Sequence, residues 1–161
     1  AHVIFSLAEL AQGQADVSGE EPGSILEMDN EEHLHVEGPI KYRLQASLAG
    51  SELVVRGSVS CRVSFACGRC GDFFTANVTD SAFLRAVEVE EGMEFVDLTP
   101  DIRESMILTF PLNPLCDASC KGICVHCGMN LNKGDCSCSV SWDDRRWDSL
   151  NKLRLPHSNR E

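Results

Sequence analysis

Six of the nine cysteines of this chain crowd into residues 116–138, in the run LCDASCKGICVHCGMNLNKGDCSC around them. A packed core does not require that density, and the spacing is regular. Cys124-Val125-His126-Cys127-Gly128 has the form of a metal knuckle: two thiols two residues apart can face one ion, and the glycine lets backbone N–H groups turn toward the sulfurs. Cys136-Ser137-Cys138 supplies a second pair. Upstream, Cys67-Gly68-Arg69-Cys70-Gly71 repeats the knuckle. Four thiolates suit tetrahedral Zn²⁺. A disulfide framework is the competing reading, and it needs an oxidising compartment. Nothing in the sequence argues for one: there is no apolar leader and no membrane-length apolar run, although a chain that starts at Ala1 leaves a removed leader open. An iron–sulfur cluster or redox thiols are the remaining alternative.

Cys61 alternates with apolar residues and reads as a core cysteine. The other eight divide naturally into two four-thiolate sites. Cys124, Cys127, Cys136 and Cys138 form a local one. Cys67 and Cys70 would join Cys116 and Cys120, stapling segments far apart in sequence. The alternative is a single zinc drawn from Cys116–Cys138 with spare thiols. His126, between two ligating cysteines, should point outward; His33, His35 and His157 are not expected to bind metal.

Two closed tetrathiolate sites leave no open position for water, so they are structural rather than catalytic. The chain also lacks a phosphate-binding loop, a nucleophile elbow, an HExxH helix and a dinucleotide fingerprint. The expectation is a protein that is not an enzyme and takes no small-molecule substrate.

Charge is unevenly spread over the 161 residues, whose formal net charge is −11. Residues 1–100 hold 17 acidic and 6 basic residues, net −11; residues 101–120 hold 3 and 1, net −2; residues 121–161 hold 5 and 7, net +2. General electrostatic attraction to nucleic acid is therefore excluded for the body. The C-terminal part can approach phosphate, with Lys121, Lys133, Arg145, Arg146 and Trp147 as the candidate contacts. The acidic body suits a basic protein. No membrane partner is expected.

The elements that must position the thiols come from hydrophobic periodicity. Residues 1–12 read as a strand turning into a short helix. Residues 13–38, rich in Gly and acidic residues, read as a loop with one short strand near Ile25–Met28. Ile40, Tyr42, Leu44, Ala46 and Leu48 then alternate with polar residues. After a turn at 49–52, Leu53 to Phe65 do the same, and a third strand follows from Phe74 to Val87. The Cys67–Cys70 knuckle makes the reversal between the last two. Residues 88–97 read as an acidic loop. Thr99-Pro100-Asp101 predicts a helix start with Thr99 as N-cap. Ile102, Met106 and Phe110, extended by Ile107, form its apolar face, and Pro111 and Pro114 end it. The fold class is α+β: an antiparallel meander or small barrel-like sheet with a helix, plus a cysteine-rich zinc module. The boundaries are 1–115 for the body, 116–140 for the module and 141–161 for a Trp/Arg tail. In that tail Trp142, Trp147, Leu150 and Leu153 could dock on the domain.

One resemblance follows. The order is a Cys-x-x-Cys hairpin, Val96-Asp97-Leu98 with Asp101-Ile102-Arg103, and Pro111-Leu112-Asn113-Pro114-Leu115-Cys116. Next come Cys120-Lys121-Gly122-Ile123-Cys124-x-x-Cys127-Gly128-x-Asn130-Leu131-Asn132, Cys136-x-Cys138, and Asp144-Arg145-Arg146-Trp147 with Leu150 and Leu153. This resembles the YceD family of bacteria and plastids, described as large ribosomal RNA subunit accumulation proteins. The resemblance covers residues 40–155 and is specific from Cys116 to Cys138. It implies a role in ribosomal RNA accumulation, with a large-subunit precursor as partner, and no catalytic activity. The protein would dock through its zinc-bearing end or, alternatively, bind a basic ribosomal protein without touching RNA. It would work in a bacterial cytoplasm or, after removal of a transit peptide, in the plastid stroma.

Overall fold

The computed structural model describes residues 2–10 and 13–138. In chain order these form β1 (Ile4–Ser6), α1 (Leu7–Leu10), β2 (Ala15–Glu21), a 3-10 turn (Gly23–Leu26), β3 (Leu34–Ala49), β4 (Glu52–Ala66), β5 (Phe73–Glu88), β6 (Phe95–Asp97) and α2 (Thr99–Thr109). β2, β3, β4 and β5 make one antiparallel sheet in that order, and β1 pairs with β6 in a small second one. The meander is as the alternation predicts. The barrel-like closure is not: the outer strands β2 and β5 are not paired with each other in the strand order.

Alternation sets the two faces of the sheet. Ile40, Leu44 and Ala46 of β3, Leu53, Val55, Val59, Cys61, Val63 and Phe65 of β4, and Val78 and Phe83 of β5 are buried on one face. That face packs under α2, whose Ile102 and Met106 are fully buried, and Phe65 meets Phe110 edge-on at 5.8 Å. Arg85 of β5 pairs with Asp101 (3.1 Å) and Glu104 (3.4 Å), and Arg103 donates to the carbonyl of Ile25 (2.7 Å), so α2 is also pinned by polar contacts.

Four sequence expectations are corrected. Residues 13–38 are not mostly loop: Ala15–Glu21 is a full edge strand paired with Ile40–Ala46, and Ile25 lies in the 3-10 turn. β2 has Val17 as its only large apolar residue, so its pairing rests on backbone hydrogen bonds that composition does not reveal. Phe95–Asp97 is not loop either. It pairs with Ile4–Ser6, burying Phe5 and Val96. Thr99 does not cap α2. The N-cap is Leu98, the Thr99 hydroxyl accepts the N–H of Val3 (2.9 Å), and Asp97 Oδ1 accepts the Thr99 N–H (2.9 Å). Thr99 is thus spent on holding the N-terminal strand. Ile107 does not extend the buried face; it is exposed.

Gly57 marks a bulge where the β4–β5 register shifts. A Cβ there would run into the carbonyl oxygen of Arg43 and sit 2.9 Å from Leu44 Cα on β3. Those atoms are strand backbone and cannot swing away. Gly57→Ala is therefore expected to lower stability by about 2–4 kcal/mol, read by urea unfolding; a loss under about 0.5 kcal/mol would contradict the close approach.

Candidate metal centre

β4 ends at Ala66 and the chain reverses through Cys67–Cys70 before β5 begins. The reversal is a compact turn: the Gly71 N–H donates to the Cys67 carbonyl (2.9 Å) and the Arg69 N–H points at the Cys67 sulfur (3.5 Å). Gly71 has φ +76, the left-handed region that disfavours any side chain. The second knuckle repeats this geometry. Gly128 (φ +74) donates to the Cys124 carbonyl (2.8 Å), and the His126 N–H lies 3.5 Å from the Cys124 sulfur. One local sequence pattern thus makes the same half-site twice.

The rest of each site comes from elsewhere. Past α2, Pro114 accepts the Gly68 N–H (2.8 Å), which brings Cys116 and Cys120 onto the first knuckle. Arg69 reinforces this by donating to the carbonyls of Ala118 (3.1 Å) and Cys120 (3.0 Å). The result is two tetrads, Cys67–Cys70–Cys116–Cys120 and Cys124–Cys127–Cys136–Cys138, in each of which the sulfurs all lie within 4.8 Å of one another. These are the two groups expected from spacing, and Cys61 stands apart in the core. All nine cysteines are unbridged. In the first tetrad the Cys67–Cys120 and Cys70–Cys116 sulfurs are 3.8 Å apart, far beyond the ~2.05 Å of a disulfide.

Electrostatics fits a site for a cation. Backbone N–H groups of Cys116 and Cys70 hold the Cys67 thiol down at about 6, and those of Cys127 and His126 hold Cys124 at about 6. The neighbouring sulfur of Cys67 pushes Cys116 up to about 12, and that of Cys127 does the same to Cys138. Each tetrad therefore favours its first thiolate and resists its last, because hydrogen bonding to a neighbouring sulfur and loss of solvation hold the last proton, and repulsion between the sulfurs adds to this. A divalent ion at the centre offsets that repulsion and ionises all four. Cys61, raised to about 11 by burial, is an inert core thiol.

The two sites are joined. Asn132 donates through Nδ2 to the Cys120 sulfur (3.2 Å) and accepts the Lys121 N–H on Oδ1 (2.8 Å). Asn130 and Lys133 both reach Asp72, at 2.9 and 2.8 Å. The loop between the cysteine pairs of the second tetrad thereby supplies a hydrogen bond to a sulfur of the first. Sequence reasoning missed Asn130, Asn132 and Asp72 as supports; the only signal was the two asparagines beside the glycine of the second knuckle.

Of the candidate partner contacts, Lys121 is exposed, and Lys133 is engaged by Asp72. Arg145, Arg146 and Trp147, with the rest of the tail and its proposed docking, lie outside the described residues. His126, His33 and His35 are exposed and belong to neither tetrad. Among the described residues no helix is long and apolar enough to cross a membrane.

Comparison with known proteins places the C-terminal half. The sequence profile described as "Large ribosomal RNA subunit accumulation protein YceD" matches residues 79–154. A protein of Arabidopsis thaliana described as "Large ribosomal RNA subunit accumulation protein YCED homolog 1, chloroplastic" is 37% identical over 59 residues, 37% of this chain and 18% of that protein. A Zea mays protein of the same description is 39% identical over 44 residues, 27% of this chain and 15% of that protein. The matched stretch thus spans less than a fifth of either relative. No solved structure matches the chain.

Proposed function

Because residues 79–154 of this chain belong to the YceD family, we propose that it is a non-enzymatic, zinc-stapled factor that supports accumulation of large-subunit ribosomal RNA. The observation that carries a single-ion tetrathiolate site is the 3.8 Å sulfur–sulfur spacing in the first tetrad, and zinc is our choice of ion for it because zinc is the usual ion of closed four-cysteine structural sites. Zn–S bonds of about 2.3 Å in a tetrahedron give edges of about 3.8 Å. A polynuclear iron–sulfur cluster holds its cysteines farther apart than the 4.8 Å limit within each tetrad. With four thiolates around each ion there is no vacant position for substrate or water, which supports a structural role. Cys67, Cys70, Cys116 and Cys120 would hold one ion and Cys124, Cys127, Cys136 and Cys138 the other. Zinc would supply cross-linking, not Lewis-acid chemistry.

The ribosomal part of the reading draws on the description of the family and of the two relatives. The chloroplastic description of the relatives favours the plastid stroma over a bacterial cytoplasm. The partner in this reading is a precursor of the large subunit. Residues 121–161, net +2, offset the repulsion that the body would meet there. A second reading, an acidic binder of a basic ribosomal protein, draws on the net −11 of residues 1–100. Co-sedimentation with large-subunit precursors separates the two. Arg145→Glu/Arg146→Glu is expected to weaken association while zinc content and thermal unfolding stay unchanged. Unchanged co-sedimentation moves the contact away from the tail and toward a protein partner of the acidic body.

A further inference from the structure

The face of the sheet turned away from α2 carries an arrangement that the ribosomal reading does not use. Between Lys41 and Ser47 on β3 and between Arg56 and Ser64 on β4, the positions facing away from the core hold Lys41, Arg43, Arg56 and Arg62, an amide and hydroxyls, and no carboxylate. Four of the six cations of residues 1–100 are therefore gathered on two neighbouring strands of an otherwise acidic body. The carboxylates of this face lie beside them, and most of the cations are already engaged: Glu20 pairs with Lys41 (3.1 Å), Glu37 with Arg62 (3.8 Å), and Asp16 accepts from Gln45 (3.0 Å). Gln45 in turn presents its oxygen to Arg56 at 2.9 and 2.6 Å, so Arg56 is held by a neutral group.

Arg43 differs from all of these. Strand register places it between Ser18 on β2 and Ser58 on β4, a hydroxyl on either side. Among the described residues it has no ion pair and no side-chain hydrogen bond. The row lies in a groove of about 890 Å³ that Arg43, Arg56, Ser18 and Ser58 line together. A forked guanidinium flanked by two hydroxyls is a donor set for phosphate oxygens. Lys41 and Arg43 are two residues apart on one face, so they repeat at about 6.7 Å along the strand, close to the phosphate spacing of an extended polynucleotide. Beyond Arg62, the same face ends in Phe73, half-exposed and stacked on His35 at 5.3 Å and 23°. Such a pair can take an unpaired base on its open side.

We propose that this face is a binding surface for single-stranded RNA, with phosphates on Arg43, Lys41 and Arg56 and a base on Phe73. The proposal rests on the ribosomal reading for its choice of polyanion and adds a contact separate from the tail. Charge complementarity selects the occupant: the groove sets the guanidinium groups of Arg43 and Arg56 against one carboxylate, Asp16, which already accepts from Gln45, while Lys41 beside it is shared with Glu20.

The test uses the full chain with its zinc and a fluorescein-labelled oligouridylate of about 12 nucleotides, within the span a single binding domain covers. Anisotropy is read at two salt concentrations. Arg43→Gln/Arg56→Gln is expected to weaken binding by about tenfold or more and to reduce the dependence on log salt by about 1.4, two single-strand phosphate contacts. Arg43→Lys, which keeps the charge but loses the fork, is expected to restore most of the salt dependence and only part of the affinity. Phe73→Ala is expected to weaken binding without changing the salt dependence. Zinc content and unfolding temperature check each variant's fold. An unaltered chain that does not bind the oligomer, or a double variant that binds it with the same affinity and salt dependence, overturns the proposal. If either chain still co-sediments with large-subunit precursors, the ribosomal reading stands without this face; if co-sedimentation also fails, both fall.

Discussion

Cys67→Ser is expected to lower the unfolding temperature of the whole chain by on the order of 10 °C or more, because metal binding free energy acts as folding free energy for whatever the site joins. The site joins a great deal. Its sulfur pairs link positions 46 and 53 residues apart, across β5, β6 and α2. A closure of that length restricts the unfolded chain strongly, as a disulfide of similar span does. In the folded state the knuckle also holds the segment after α2 through the Gly68–Pro114 hydrogen bond and the Arg69 contacts to Ala118 and Cys120. Losing one sulfur leaves three thiols around a cation site that needs four, and the segment after α2 loses its anchor to the sheet. Hydrogen exchange should then rise along α2 as well as at the knuckle. A change of under about 3 °C, within what a surface substitution produces, would show that the staple does not hold the fold.

Cys124→Ser is expected to act differently. The second tetrad draws all its sulfurs from residues 124–138, so its loss should expose the amides of that segment and leave β2–β5 protected. The effect does not end there. The loop it closes places Asn132 on the Cys120 sulfur and Asn130 and Lys133 on Asp72. Without the second ion those contacts are lost, and the first site is expected to release its zinc faster to a chromophoric chelator by about tenfold, the size typical of losing an outer hydrogen bond to a metal ligand. Unchanged release from the first site would mean that the two sites are independent.

Much of this was legible in residue spacing. The division of eight cysteines into a local and a stapling tetrad followed from pairs two residues apart and from Cys61 falling on the apolar side of an alternating strand. β3, β4 and β5 followed from period-two alternation, and α2 from Thr99-Pro100 and Pro111. What alternation cannot reveal is an edge strand with a single large apolar residue, and so β2 read as loop. That error hid the groove as well, since Arg43 sits between two serines only once Ser18 is on a strand. β6 was hidden for a related reason: three residues next to an acidic run carry too little pattern, and its pairing depends on a strand some ninety residues away in the chain. Thr99 matched a helix-cap pattern, but its hydroxyl serves Val3, a tertiary contact that no local rule anticipates. The coupling of the two tetrads through Asn132 likewise depends on where a loop folds back.

The central claim is that two separate tetrathiolate sites each hold one zinc ion. Elemental analysis of the full chain, purified without chelator and quantified against protein concentration, tests it most directly. The account predicts two zinc ions per chain and no stoichiometric iron. One zinc or fewer, or iron in place of zinc, would contradict it.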